Sequence, residues 1–244
     1  MNEQKSSSNQ SYRFLGFLTA LFVAVLITSN IASSAKIIDL GFSLLGIQLA
    51  FDGGTLLFPL AYVLGALITE VYGFRESRKV IWTGFVILCI SAFLFFLVRH
   101  LPGEEIWEQS AGTEAYEAIL GGMSTGGIIL ASLSAYLVGK FFDSIIHSRL
   151  KVLTKGKLLW LRALGSSLVA QFLDSLIFVS IACLTAVFPW ELFTVLIFTN
   201  CLLKFLFEVV LTPFTYLFVN MLKKAENLDV YDTNINYNPF KFKH

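Results

Sequence analysis

The chain alternates between long apolar runs and short polar connections. Six runs are long enough to cross a lipid bilayer, because about 20 residues of α-helix span its hydrocarbon core. We place them near residues 14–35, 55–73, 79–99, 121–142, 164–188 and 192–221. The pattern predicts an all-α integral membrane protein with six transmembrane helices, which form a single domain over residues 12–224.

One connection differs from the others in its periodicity. Between the first and second runs, apolar residues alternate in KIIDLGFSLLGIQLAFDGG (Lys36 to Gly54), a segment too short and too interrupted to be another span. Alternation with a period of two is typical of a β-strand. We therefore predict a small extracytoplasmic β-hairpin between helices 1 and 2, with a re-entrant loop as the alternative.

The basic residues indicate which side of the membrane each connection occupies. Most of the 18 Lys and Arg residues fall before the first run, between the second and third, between the fourth and fifth, and after the sixth. Six spans put all of these on one side, and basic connections remain in the cytoplasm. Both termini are therefore predicted to be cytoplasmic, with tails at residues 1–11 and 225–244. The acidic connection over residues 102–118 then lies outside.

Composition agrees with a membrane protein and narrows the chemistry. Hydrophobic residues make up 56% of the chain and charged residues 14%, whereas soluble domains carry about 25% charged residues. The three Cys lie in apolar runs and the three His are scattered, so we predict no disulfide framework, metal site or cofactor. The net charge of +1 argues neither for nor against nucleic acid, and we expect none as a partner. Without a Ser–His pair or a metal set in the spans, an enzyme is the least favoured class.

Polar side chains lie inside two of the predicted spans. Gln171 and Asp174 in the fifth, and Asn200, Lys204 and Glu208 in the sixth, are spaced by three or four residues and so share helix faces. A charged side chain in hydrocarbon costs at least about 2.5–3.5 kcal/mol, so we expect the two faces to meet. Both lie near the bilayer midplane, where transporters tend to hold substrates. The alternative is that these residues pair with one another and lock the two helices together.

The residue types in the two stripes suit a flat polar solute. A carboxylate accepts two parallel bonds from an amidine-like edge, and an amide side chain offers both a donor and an acceptor. An aromatic ring such as that of Phe58 can stack on the flat face. Glu70 is a further candidate, although an ion pair with neighbouring basic residues is the simpler interpretation. The candidate substrate-binding residues are Phe58, Glu70, Gln171, Asp174, Asn200, Lys204 and Glu208.

Three long stretches match a known pattern in the right order. They are DGGTLLFPLAYVLGALITEVYGFRESRKVIWTGF (Asp52 to Phe85), LWLRALGSSLVAQFLDSLIFV (Leu159 to Val179) and LLKFLFEVVLTPFTY (Leu202 to Tyr216). The chain resembles the queuosine precursor transporter family over almost its whole length except the tails. The positions that match the family motifs are Phe58, Pro59, Gly73, Ser167, Gln171, Asp174, Ser175, Lys204 and Pro213. One position departs, since many relatives carry an aspartate where this chain has Ala66.

The resemblance implies a function and a location. Members are bacterial inner-membrane proteins that import 7-deazaguanines, such as 7-cyano- and 7-aminomethyl-7-deazaguanine, for queuosine modification of tRNA. The fold is also similar to the vitamin-binding subunits of energy-coupling-factor transporters. The alternative function is therefore a substrate-binding subunit that needs an ATPase module. The expected partners are the lipid bilayer and a purine-like small molecule, while a homodimer and an energising module remain open.

Overall fold

The computed structural model describes residues 12–44, 47–124, 126–233 and 235–241. Its elements are α1 (Leu15–Ala35), β1 (Ile37–Leu44), β2 (Ile47–Asp52), α2 (Phe58–Arg99), α3 (Glu105–Ser110), α4 (Gly112–Ser124), α5 (Gly126–Leu153), α6 (Leu159–Leu184) and α7 (Phe193–Glu226). Within this described part, five helices are long and apolar enough to cross a membrane, namely α1, α2, α5, α6 and α7. The predicted class of helical membrane protein is confirmed. The helix count is five rather than six because α2 contains two of the predicted runs.

Helix α2 folds back on itself at Gly73. This residue has φ +81° and ψ 174°, a backbone region that glycine adopts far more readily than other residues. Residues eight apart in a straight helix are separated by about 12 Å, yet Thr69 Oγ1 and Ser77 Oγ lie 2.9 Å apart across the turn. The two halves, residues 58–72 and 74–99, therefore lie side by side. Residues 74–78, predicted as a connection, are helical instead.

Several other helix ends differ from the predicted runs. Helix α5 covers Gly126–Leu153 rather than 121–142, and α6 begins at Leu159 rather than near 164. The segment predicted as a loop over 102–118 contains α3 and much of α4. The added turns of α5 and α6 carry buried polar residues such as Lys151 and Arg162. A search for apolar runs therefore ends these helices too early.

Strands β1 and β2 form a two-stranded antiparallel sheet between α1 and α2. The pairing runs from Ile37 opposite Asp52 to Leu44 opposite Ile47, and residues 45–46 lie outside the described residues. The following turn packs closely on α1, since a Cβ on Gly53 would lie 2.7 Å from the carbonyl oxygen of Ala32. On which side of a membrane this sheet lies stays a prediction.

The chain after α7 packs against the bundle. Asp232 Oδ2 accepts hydrogen bonds from the backbone N–H of Phe74 at 2.8 Å and from Ser148 Oγ at 2.6 Å. Trp82 Nε1 donates to the carbonyl oxygen of Pro239 at 2.9 Å. Residues 228–233 and 235–241, which we call the C-terminal segment, therefore cover the turn at Gly73 and part of α5.

The packing order of the long helices places the polar residues in the interior. Helix α5 lies between α2 and α6, while α7 packs on both α6 and α2. Apolar side chains of α1, α2 and α5 fill the space between them, among them Phe22, Ile68 and Phe141. The inward faces of α2, α5, α6 and α7 therefore surround one common region, and the site described below lies in it.

Candidate substrate site

The two predicted polar stripes meet between α6 and α7. Lys204 Nζ donates to Asp174 Oδ2 at 2.9 Å, and Gln171 Nε2 donates to Glu208 Oε2. Gln171 and Asp174 lie one turn apart on α6, and Lys204 and Glu208 lie one turn apart on α7, so the two contacts form side by side. Asn200 lies one turn nearer the beginning of α7 and is half-buried. The structure thus brings five candidate residues together.

Phe58 lies on the same side of the bundle, at the beginning of α2. Lys204 Nζ is 4.8 Å from the centroid of its ring, which is within the range of a cation–π contact. The Asp174 side chain is 19% exposed, against 7% for Lys204. Asp174 is ten residues from the end of α6, or about 15 Å along the helix, close to half of a hydrocarbon core of about 30 Å. The Asp174–Lys204 pair therefore lies beside Phe58, with the carboxylate about half a core thickness from the end of α6.

Three buried polar atoms near these contacts have no hydrogen-bond partner among the described residues. They are Gln171 Oε1, Ser175 Oγ and Lys140 Nζ. Leaving such an atom unsatisfied costs about 1–3 kcal/mol, so a polar ligand that bonded to them would gain binding energy. Together they offer an acceptor, a hydroxyl and a cationic donor. This set complements a ligand that carries N–H and carbonyl groups on one edge.

Helix α5 adds a polar stripe that the sequence analysis missed. Lys140, Asp143, His147 and Lys151 recur every three or four residues, and each is at most 5% exposed. The spacing was a readable signal, because it puts all four side chains on one helix face. The predicted fourth span ended at residue 142, however, and this left three of the four in a connection.

Asp143 joins the α5 stripe to the α6–α7 contacts. Its Oδ1 accepts hydrogen bonds from Ser166 Oγ at 2.6 Å and from Ser167 Oγ at 3.4 Å. Ser167 lies one turn from Gln171 on the same face of α6, and the Gln171 amide donates to Glu208. Lys140 lies one turn away, with its Nζ 3.4 Å from the centroid of the Tyr62 ring. The described site therefore contains three carboxyl groups and two amines.

Glu70 lies in a separate cluster and not with the other candidates. Its carboxylate accepts hydrogen bonds from Arg162 Nε at 2.7 Å and Nη2 at 2.8 Å, and from Lys223 Nζ at 2.6 Å. His147 Nε2 lies 3.0 Å from it. Glu70, His147 and Arg162 are each at most 1% exposed, and Glu70 lies about 18 Å along α2 from Phe58. This geometry is that of an ion-pair cluster, the simpler of the two interpretations drawn from the sequence.

Lys151 connects the Glu70 cluster to the C-terminal segment. Its Nζ donates to the carbonyl oxygens of Glu70 and Val230 and to Asp229 Oδ1, the last two at 2.6 Å. Burial opposes ionisation of Asp229, but hydrogen bonds from Lys151 and Lys223 outweigh it and lower the pKa of this carboxyl. The cluster thus ties four helices and the C-terminal segment together at one end of the bundle.

Comparisons with known proteins identify the family. The model of the family described as "Putative vitamin uptake transporter" matches residues 52–218. A Bacillus subtilis protein named "Probable queuosine precursor transporter" is 26% identical over 174 residues, which cover 71% of this chain and 73% of that protein. A Haemophilus influenzae protein of the same name is 26% identical over 129 residues, or 53% of this chain and half of that protein. No solved structure matches the chain.

The family match includes the whole candidate site. Residues 52–218 contain every candidate residue from Phe58 on α2 to Glu208 on α7. Both named relatives carry the name of the family that the sequence resembled, so the resemblance is confirmed. The chain is a membrane transporter and belongs to the vitamin uptake transporter family, whose matched relatives are named as queuosine precursor transporters.

Proposed function

We propose that this protein imports 7-deazaguanine precursors of queuosine, such as 7-cyano- or 7-aminomethyl-7-deazaguanine, across the bacterial inner membrane. The observation that carries the proposal is the polar group in which Asp174 and Lys204 pair at 2.9 Å. Beside it, three polar atoms have no hydrogen-bond partner in the described part of the chain. The names of the relatives supply the substrate class. Purely structural pairing between helices does not account for the unpartnered atoms.

In this proposal the guanine-type edge of the base bonds to α6. The Asp174 carboxylate accepts hydrogen bonds from the ring N–H and the exocyclic amine. Gln171 accepts a further N–H through Oε1, or its amide rotates so that Nε2 donates to a carbonyl of the base. Lys204 donates to Asp174 Oδ2 at 2.9 Å and so fixes the position of the carboxylate. Phe58 stacks on the face of the base. Entry of the base requires Lys204 and Gln171 to loosen their present contacts.

We also propose that α2 crosses the membrane twice, which gives six spans with both termini in the cytoplasm. A straight helix of 42 residues would be about 63 Å long, twice the hydrocarbon core of about 30 Å. The reversal at Gly73 divides it into halves of about 23 Å (residues 58–72) and about 39 Å (residues 74–99). The longer half passes through the core, and the shorter one crosses it together with the turn that precedes Phe58. Helices α3 and α4 and the β-sheet then lie outside, and the Glu70 cluster lies at the cytoplasmic side. The basic residues of that cluster agree with the positive-inside pattern.

Uptake by cells that cannot make the precursors tests the function. Such cells, expressing this chain, should accumulate labelled 7-cyano- or 7-aminomethyl-7-deazaguanine, and an excess of the unlabelled base should compete. Cells with an empty vector and cells expressing Asp174→Asn are the controls. If the protein is present in the membrane and neither base enters above the empty-vector level, the proposed function is wrong.

A further inference from the structure

We propose that Asp143 and Glu208 share one proton and that this proton enters the cell together with the substrate. The pair would make the protein a proton-coupled importer. The substrate half of this inference rests on the proposed function, while the proton site can be tested without any substrate.

The buried charges of the site do not balance when every group is ionised. Asp174 and Lys204 neutralise each other at 2.9 Å, which leaves Lys140 with two carboxyl groups, Asp143 and Glu208. If both were ionised, this buried group would carry one net negative charge. An uncompensated buried ion costs several kcal/mol in desolvation. One proton on the carboxyl pair removes that charge.

Contacts on α6 bring the two carboxyl groups near each other. Ser167 Oγ donates to Asp143 Oδ1 at 3.4 Å, and Gln171 Nε2, one turn away on the same face of α6, donates to Glu208 Oε2. The two carboxyl groups therefore lie against neighbouring side chains of one helix face. Carboxyl groups that interact strongly titrate as a pair and not separately.

The Lys140 ammonium does not take the place of the shared proton as a donor to the two carboxyl groups. Its Nζ forms no hydrogen bond within the described residues and lies 3.4 Å from the ring centroid of Tyr62 and 5.7 Å from that of Phe22. The ammonium is therefore held by aromatic faces, an interaction that gains strength when it is desolvated. Neither carboxyl of the pair obtains a direct bond from it.

The remaining charged and titratable neighbours of the pair come from four helices. They are Tyr62 on α2, Lys140 and His147 on α5, Asp174 on α6, and Lys204 and Cys201 on α7. His147 Nε2 is directed to Glu70 at 3.0 Å, and Lys204 to Asp174. His147 and Lys204 are therefore engaged by other carboxylates. The Asp143–Glu208 pair is left with two carboxyl groups and one neighbouring amine, that of Lys140.

Gln171 links the proton pair to the substrate site. Its Nε2 donates to Glu208, while its Oε1 has no hydrogen-bond partner among the described residues. Gln171 itself lies one turn from Asp174 on α6. A base that bonds to the Gln171 amide competes with the Glu208 contact. A carboxylate that loses a donor favours its protonated form, so substrate and proton assist each other in binding. The proton moves from the outer water to the pair and then to the cytoplasm.

Infrared spectroscopy tests the proton site without substrate. The purified wild-type protein at neutral pH should show the C=O stretching band of a protonated carboxylic acid, because the pair retains one proton. Asp143→Asn and Glu208→Gln should each remove this band, and either variant is sufficient if the other does not fold. Asp229→Asn, which changes an exposed carboxyl of the C-terminal segment, is the control and should retain it. Absence of the band from the wild-type protein would overturn the proposal.

Proteoliposomes test the coupling. With one proton per substrate, a gradient of one pH unit, acidic outside, should drive about tenfold accumulation of labelled base, since 1.4 kcal/mol equals a factor of ten. In Asp143→Asn the ratio of uptake with and without the gradient should fall to about one. Exchange of labelled for unlabelled base by the wild-type protein, with no response to the gradient, would overturn proton coupling and leave the transport function standing. Absence of exchange would contradict the proposed function instead, and the infrared band would still decide the proton site.

Discussion

Removal of one charge from the Asp174–Lys204 pair should impair both stability and binding. In Asp174→Asn the Lys204 ammonium loses its partner at 2.9 Å, and only 7% of the Lys204 side chain is exposed. Breaking a buried ion pair costs about 3–5 kcal/mol. We expect the lower end, about 3 kcal/mol, because Asp174 is 19% exposed and the Phe58 ring still faces the ammonium at 4.8 Å.

Removal of both charges should separate the structural role from the functional one. Asp174→Asn combined with Lys204→Met leaves no unpaired charge, and uncharged replacements of buried pairs are often neutral for stability. The free energy of unfolding should therefore return to within about 1 kcal/mol of the wild-type value. Binding should not return, because the base still lacks its carboxylate. A lost bond in a buried site costs about 1–3 kcal/mol, or roughly ten- to hundredfold in affinity.

Thermal unfolding in detergent and isothermal titration with 7-cyano-7-deazaguanine measure the two effects. The matched control removes the Arg99–Glu117 pair, which is 3.0 Å long with side chains 29% and 45% exposed. An exposed pair contributes about 0–1 kcal/mol, and this one lies away from the site. Wild-type affinity in the Asp174/Lys204 double variant would refute the direct role of Asp174. A double variant as unstable as Asp174→Asn would refute the charge-pair explanation.

Three further changes test other parts of the structure. Gly73→Ala should lower the free energy of unfolding by about 1–3 kcal/mol, because φ is +81° and a Cβ would crowd the C-terminal segment. Gly16→Ala, whose Cβ meets nothing within 4 Å, is its control, and equal thermal stability of the two variants would contradict the strain explanation. Glu70→Gln should lower the free energy of unfolding by about 3–5 kcal/mol in the same assay, because Arg162 loses a buried carboxylate. Melting of this variant at the wild-type temperature would show that the cluster is dispensable for stability. Reporter fusions within 102–118 and at the C-terminus should indicate opposite sides of the membrane, and a shared side would rule out six spans.

The polar faces of α6 and α7 could be predicted from the sequence because helical spacing is a local property. Gln171 and Asp174 share a face whatever the rest of the chain does, and so do Lys204 and Glu208. The partner of each residue could not be predicted in the same way. Lys204 has a carboxylate one turn away on its own helix, yet it pairs with Asp174 across the helix interface. Only the position of α6 against α7 decides between the two.

The turn in α2 shows a different limit of the sequence. Residues 74–78 are polar and were interpreted as a connection between two spans. Glu76, Ser77 and Arg78 are buried in the structure, and Arg78 donates to the carbonyl oxygen of Asn238 in the C-terminal segment at 2.9 Å. Burial of these polar groups depends on residues more than 150 positions away. No local pattern contains that information.

The sequence by itself determined the apolar spans, the helix faces that carry charge and the family. The tertiary structure decided which charges meet. It placed Asp143 of α5 and Glu208 of α7 against neighbouring side chains of α6, and it separated Glu70 from Phe58 by about 18 Å of helix. The physical reason is that periodicity follows from the geometry of one helix. The partners of a buried charge, by contrast, are selected when several helices pack so that each ionised group obtains a counter-charge or a hydrogen bond.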